Sequence, residues 1–128
     1  MSEQNPYQST PATPMSPADE KLWATLIHVG GIIFSAAALG FVPALIGYLM
    51  LRDRGPFIRA HTATALNFQI SLLIYVAVLV PITIVTIGIG GILYIPLAIV
   101  AVVFMILAAL AANRGQGYTY PLTIKFVS

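Results

Sequence analysis

Two histidines, His28 and His61, are the side chains of this chain best suited to chemistry near neutral pH. Each lies within a long uncharged stretch, and a pair of histidines on different membrane helices could hold a haem axially. The rest of a metal site is missing. There is no cysteine, and all four acids, Glu3, Asp19, Glu20 and Asp53, lie outside the apolar runs. The residues therefore favour hydrogen-bonded neutral imidazoles and no cofactor. Nucleophilic catalysis fares no better. Ser71 and His61 sit ten residues apart, about 15 Å along one helix axis, too far for a nucleophile and its base. Ion-coupled carriers usually keep an ionisable group within the bilayer, and only the two histidines could serve.

A second set has helical spacing. Thr64, Asn67, Ser71 and Tyr75 recur at intervals of three, four and four, with His61 at the edge of the same stripe. Polar side chains avoid lipid, so this face should look into protein or into a wet cavity. Interhelical hydrogen bonding is the favoured use, and the lining of a pathway is the alternative. Asn67 lies about two turns into its helix, where an unpaired amide would be costly. It is expected to act as a structural hinge, assisted by His61 and Gln69 and paired with His28 or Ser35 on the first apolar block.

The elements that position these residues follow from charge. Arg52, Asp53, Arg54 and Arg59 are four of the ten charged residues. On one side of them Leu22–Leu51 runs 30 residues without a charge, and on the other Ala60–Asn113 runs 54. Hydrophobic residues make up 59% of the chain and charged ones 8%, against about a quarter charged in soluble domains. This is the composition of an integral membrane protein. The arginines mark a cytoplasmic turn, because cationic side chains resist translocation. The cluster is shorter than the usual lipid-binding polybasic segment, so setting topology is its favoured role. The net charge of +2 has no Lys/Arg face behind it that could grip nucleic acid.

Residues 1–16 are polar and rich in Pro, Ser and Thr, and are expected to form a disordered tail. Residues 17–128 then form one transmembrane domain. Ser16 can cap a helix that starts at Pro17. As one straight helix, Leu22–Leu51 would measure about 45 Å against a hydrocarbon core of about 30 Å. It is either a single kinked crossing or a hairpin of two short helices near 17–37 and 43–51. The next helix should run from Pro56 to about Val80, with Pro81 and the glycines Gly88, Gly90 and Gly91 breaking it. The last should cover about Ile92–Ala112, with an alanine-rich end that permits close approach. Arg114, Tyr118, Tyr120 and Lys125 suit the membrane interface, with Lys125 keeping the C-terminus cytoplasmic. Leu122–Phe126 should lie along that interface in extended form.

Several blocks together resemble a known family. They are Trp23–His28, Gly55–His61 (with Pro56 and Phe57), Ala65–Gln69 (with Phe68) and Ala112–Ile124. They look like small bacterial membrane proteins of unknown function, distantly similar to the small channel-associated subunit of the chloroplast inner-envelope (Tic) protein translocon. The resemblance covers about residues 20–126. It implies four membrane helices with both ends cytoplasmic, which favours the hairpin for the first block, and loosely suggests a part in protein or solute passage. The chain is thus expected to be an all-α membrane helix bundle in the bacterial plasma membrane. Its expected role is a non-enzymatic structural or interaction module that self-associates or joins a larger membrane complex. The competing role is a pore or transport component related to protein translocation.

Overall fold

The computed structural model describes residues 13–35 and 39–128. Among them the regular structure is entirely helical. Helix α1 spans Pro17–Ser35, α2 Phe41–Leu51, α3 Pro56–Val85 and α4 Tyr94–Asn113, with a 3-10 turn at Ile89–Leu93 leading into α4. The first apolar block is therefore two helices. Leu39 and Gly40 lead into α2, and Pro43 sits in its first turn, where a missing N–H costs no hydrogen bond.

Local chemistry explains most boundaries. Ser16 Oγ accepts the Asp19 N–H at 3.2 Å, and Pro17 takes the first helical position. Helix α3 starts at Pro56 after Gly55, which brings no capping side chain. The acceptor comes from another helix: Glu20 Oε2 of α1 takes the Ile58 N–H at 2.8 Å. Gly55 makes room for it, since a Cβ there would stand 2.4 Å from the Glu20 carboxyl.

Pro81 does not end α3, which continues four residues further to Val85. Proline removes one ladder hydrogen bond, but membrane helices tolerate it where hydroxyls and local adjustment meet the freed groups. Thr83 and Thr86 bond the Leu79 and Ile82 carbonyls one turn earlier, not the Ala77 carbonyl that Pro81 cannot reach. The helix stops instead where Ile87 and Gly88 take positive φ, 55° and 90°. Gly88 adopts that conformation without strain.

The 30 residues of α3 and the helical run Ile89–Asn113 are long and apolar enough to cross a membrane. Helix α3 is about 45 Å long, whereas α2 is only about 16 Å. The N-terminus of α1 meets that of α3 through Glu20. A Cβ at Gly115, just past α4, would touch Lys21. The charged ends of all four helices thus gather at one end of the bundle.

Small residues set the packing. Ala24, Ala108 and Ala112 are fully buried, and α1 packs extensively on α4. At Gly47 of α2 a Cβ would meet Ile27 of α1 at 2.5 Å, so glycine allows these helices to approach. Large apolar side chains face outward instead: Ile33, Met50, Ile84 and Val85 are all well exposed. Such a surface suits lipid and not water.

Candidate functional site

Helices α3 and α4, although consecutive, touch little. The C-terminal segment fills the gap between them. Its Tyr120 ring stacks on Phe68 of α3, centroids 4.1 Å apart, and packs with Met105 and Ala108 of α4. From Gln116, level with His61, the segment descends to Pro121–Leu122, level with Tyr75, and returns to Ser128, level with Arg59. It is a hairpin laid along about 21 Å of α3. At its tip Leu122 takes a φ of 59°.

An extended hairpin has no ladder of its own, so its backbone groups need other partners. The polar stripe of α3 supplies them. Asn67 Oδ1 accepts the N–H groups of Phe126 and Val127, each at 2.9 Å, while Asn67 Nδ2 donates to the Val127 carbonyl at 2.9 Å. Ser71 Oγ accepts the Ile124 N–H at 2.9 Å and donates to the Asn67 carbonyl. Tyr75 donates to the Leu122 carbonyl, and Arg59 and Tyr48 to that of Ser128. Every bond to the hairpin in this set goes to main chain. Asn67, Ser71 and Tyr75 of the stripe hold a backbone, and Thr64 makes no bond of this set.

The expected partners of Asn67 were different. His28 bonds His61 and Tyr120, and Ser35 bonds the Gly31 carbonyl of its own helix. Neither reaches Asn67. The amide is satisfied by the one segment that brings unpaired N–H groups to it.

The histidines form a directed chain. His61 Nε2 lies 2.8 Å from the Gln116 carbonyl, which can only accept. That nitrogen therefore carries the hydrogen, and His61 Nδ1 is left as an acceptor. It receives the His28 Nε2–H at 2.9 Å, and His28 Nδ1 in turn accepts the Tyr120 hydroxyl at 2.6 Å. All four ring nitrogens are engaged, and each bond fixes the next. No lone pair remains for a haem iron or other metal unless this chain is broken. The two histidines are each about 1% exposed.

The remaining residues singled out by sequence fall into place around this core. Phe57 lies against His61, centroids 4.5 Å apart, and Pro56 opens α3 at the surface. Gln69 is buried, its Nε2 3.2 Å from Met105 Sδ. Thr64 is half-buried and faces a groove beside the hairpin. Arg59 bonds Asp53 at 3.2 Å, Arg52 lies over the Tyr48 ring, and Arg54 donates to the Thr13 carbonyl. Met15, placed by composition in the expected tail, is buried and donates its N–H to the Arg54 carbonyl. Residues 1–12 of that tail lie outside the described residues.

Arg114 and Lys125 are exposed and Tyr118 is half-buried. Tyr120, expected at the interface, is only 3% exposed and sits inside the bundle. Leu122 turns the chain at φ 59°, and the residues after it run along α3, where Ile124 and Phe126 bond Ser71 and Asn67. Burial raises the Tyr118 phenol above its ordinary range. It raises that of Tyr120 further, with Tyr118 beside it adding to the effect.

Sequence reading does not single out Tyr48, Met105 or Glu20 of the site, and Glu20 is the most consequential. By sequence Glu20 is only an acid outside the apolar runs, yet it is buried and caps α3. The one hint available was Gly55-Pro56, a helix start that brings no acceptor of its own.

A profile of the magnetosome magnetite crystal formation protein family (MamF/MmsF) matches residues 19–127. No curated protein and no solved structure matches the chain. The family match corrects the resemblance to the chloroplast translocon subunit. The motif blocks that suggested that relation are short, and the translocation reading that came with them is unsupported.

Proposed function

The chain belongs to the magnetosome magnetite crystal formation protein family, and on that premise we propose that it is a non-enzymatic structural module of a bacterial membrane. In this reading it packs against copies of itself or a larger complex, in a membrane that surrounds or organises mineral formation. One observation carries the proposal: the bundle turns its polar groups inward and satisfies them, while its flanks are apolar. No buried side-chain nitrogen or oxygen among the described residues lacks a partner. The histidines, the one pair of groups suited to proton transfer, are closed on each other, on Gln116 and on Tyr120. Helix association in lipid relies on close packing and internal hydrogen bonds, and this chain is built from both.

The test is chemical cross-linking in native membranes, followed by mild-detergent purification. Defined oligomers, or a reproducible set of co-purifying chains, are expected. A lone monomer in both experiments, together with solute-selective flux through vesicles that contain it, would replace this reading with a pore. Fluorescent fusions in a magnetite-forming cell should follow the mineral-bearing membrane, and loss of the chain should alter crystal size or number.

A further inference from the structure

A second groove opens between α3 and α4, with the end of α1 and the start of α2 forming a third wall. It encloses about 500 Å³, a volume in the range of small-molecule sites. Most of its lining is apolar, including Leu72, Val76, Leu97 and Ala98, but Gln69 and Ser35 also reach it. Gln69 is only 6% exposed, yet its amide is poorly satisfied. Nε2 donates to the Met105 thioether at 3.2 Å, a weak acceptor, and Oε1 receives no hydrogen bond among the described residues. Turning the amide over would only set the oxygen against that sulfur, which has no hydrogen to give. Every fully enclosed side-chain nitrogen and oxygen among the described residues has a partner. Gln69 Oε1 is therefore an atom that reaches open space, and the open space beside Gln69 is this groove. Ser35 Oγ converges on the same point. A Cβ at Gly40 would stand 2.5 Å from it and 2.7 Å from Gln69 Oε1. The Ser35 hydroxyl donates to the Gly31 carbonyl, so toward the groove this oxygen too can only accept.

Depth decides what can supply the missing donor. Gln69 lies ten residues past Arg59, about 15 Å along α3. If α3 crosses from the arginine end, that is the middle of a hydrocarbon core of about 30 Å. No water is present there to satisfy a carbonyl oxygen, and leaving it unpaired is costly. Lipids anchored by glycerol or phosphate keep their hydroxyls at the head-group level. An isoprenoid quinol has no such anchor, and its ring carries hydroxyl donors on an otherwise apolar molecule. We propose that this groove binds an isoprenoid quinol. One ring hydroxyl donates to Gln69 Oε1, Ser35 Oγ offers a second acceptor beside it, and the tail lies along the apolar walls. Binding alone is proposed, and it is independent of the assembly reading, since a monomer carries the same groove.

Titration calorimetry of the full chain in nanodiscs tests it, with a short-chain quinol kept reduced and its dimethyl ether as probes. The ether keeps ring and tail but has no hydrogen to donate, so it should bind at least about tenfold more weakly. Gln69→Leu should weaken the quinol about tenfold and leave the ether unchanged. Thr64→Val removes a hydroxyl outside the groove and should bind as the parent does. Equal affinity for quinol and ether, or quinol binding untouched by Gln69→Leu, would overturn the site. If diacylglycerol displaces the quinol at equal concentration, the groove takes any lipid alcohol and the quinol assignment falls. If Ala98→Cys chains form disulfide dimers in membranes, a second copy covers the groove and the ligand site falls with it. Should Gln69→Leu misfold by circular dichroism, Ala98→Phe keeps the amide and narrows the groove from an exposed position of its wall. An about fivefold loss of quinol binding is expected from it, and none would refute the groove.

Discussion

His28 and Tyr120 are 92 residues apart, yet one hydrogen bond between them completes a three-residue chain whose direction the Gln116 carbonyl sets. Tyr120→Phe keeps the ring stacked on Phe68 but leaves His28 Nδ1 without its donor. The expected cost is about 1–2 kcal/mol of stability in detergent, measured by denaturant titration. The phenol also predicts a pH dependence. Its folded pKa is raised, so its contribution is fully present below about pH 10, the unfolded value. Stability should fall as pH rises through that value toward the folded one, and Tyr120→Phe should flatten the alkaline limb. Asn67→Leu is a stronger test of the same site. It strands the N–H groups of Phe126 and Val127, so the loss should exceed the roughly 1 kcal/mol of one interhelical bond and approach about 2–3 kcal/mol. Hydrogen exchange at residues 122–128 should rise with it, whereas a purely local effect would leave the hairpin protected.

The elements meet at positions where a side chain has been given up. Gly55 lets the Glu20 carboxylate approach the start of α3, and Gly47 lets α2 approach Ile27 of α1. Gly55→Ala would place its Cβ 2.4 Å from that carboxyl, so the cap must move away. Glu20→Ala removes the cap without crowding the turn and should cost about 1–2 kcal/mol. Glu20→Gln keeps an acceptor oxygen and should cost less. The ordering Ala worse than Gln, read by thermal unfolding in detergent, checks that Glu20 acts as a cap. Equal losses would point to its charge alone.

At the scale of the molecule, all four charged helix ends lie together, so the described chain makes an even number of passes if its helices cross. With three arginines at that end, the positive-inside tendency predicts a cytoplasmic position for it. Single cysteines at Asp53 and at Ser128 should then react with an impermeant reagent only after cells are opened. Labelling of either one in intact cells would reverse the orientation. The two positions should in any case behave alike, because Arg59 bonds both Asp53 and Ser128.

Long apolar runs, a basic turn and well-placed prolines and glycines determined the helical class, the membrane setting and most helix boundaries. These are local properties, since each follows from the transfer of nearby side chains or from backbone freedom. The polar stripe was legible too, because helical period is written into spacing. Its partner was not. Asn67, Ser71 and Tyr75 bond main-chain groups of the last seven residues, and main chain leaves no mark in sequence. The Glu20 cap was equally hidden, because it joins positions 38 residues apart. Continuation of α3 through Pro81 went against a local rule that lipid relaxes. The His28–His61–Tyr120 chain and the groove beside it exist only once α1, α3 and the C-terminal hairpin are packed together. Tertiary structure decided those features, because each is a contact between segments that separately have no reason to meet.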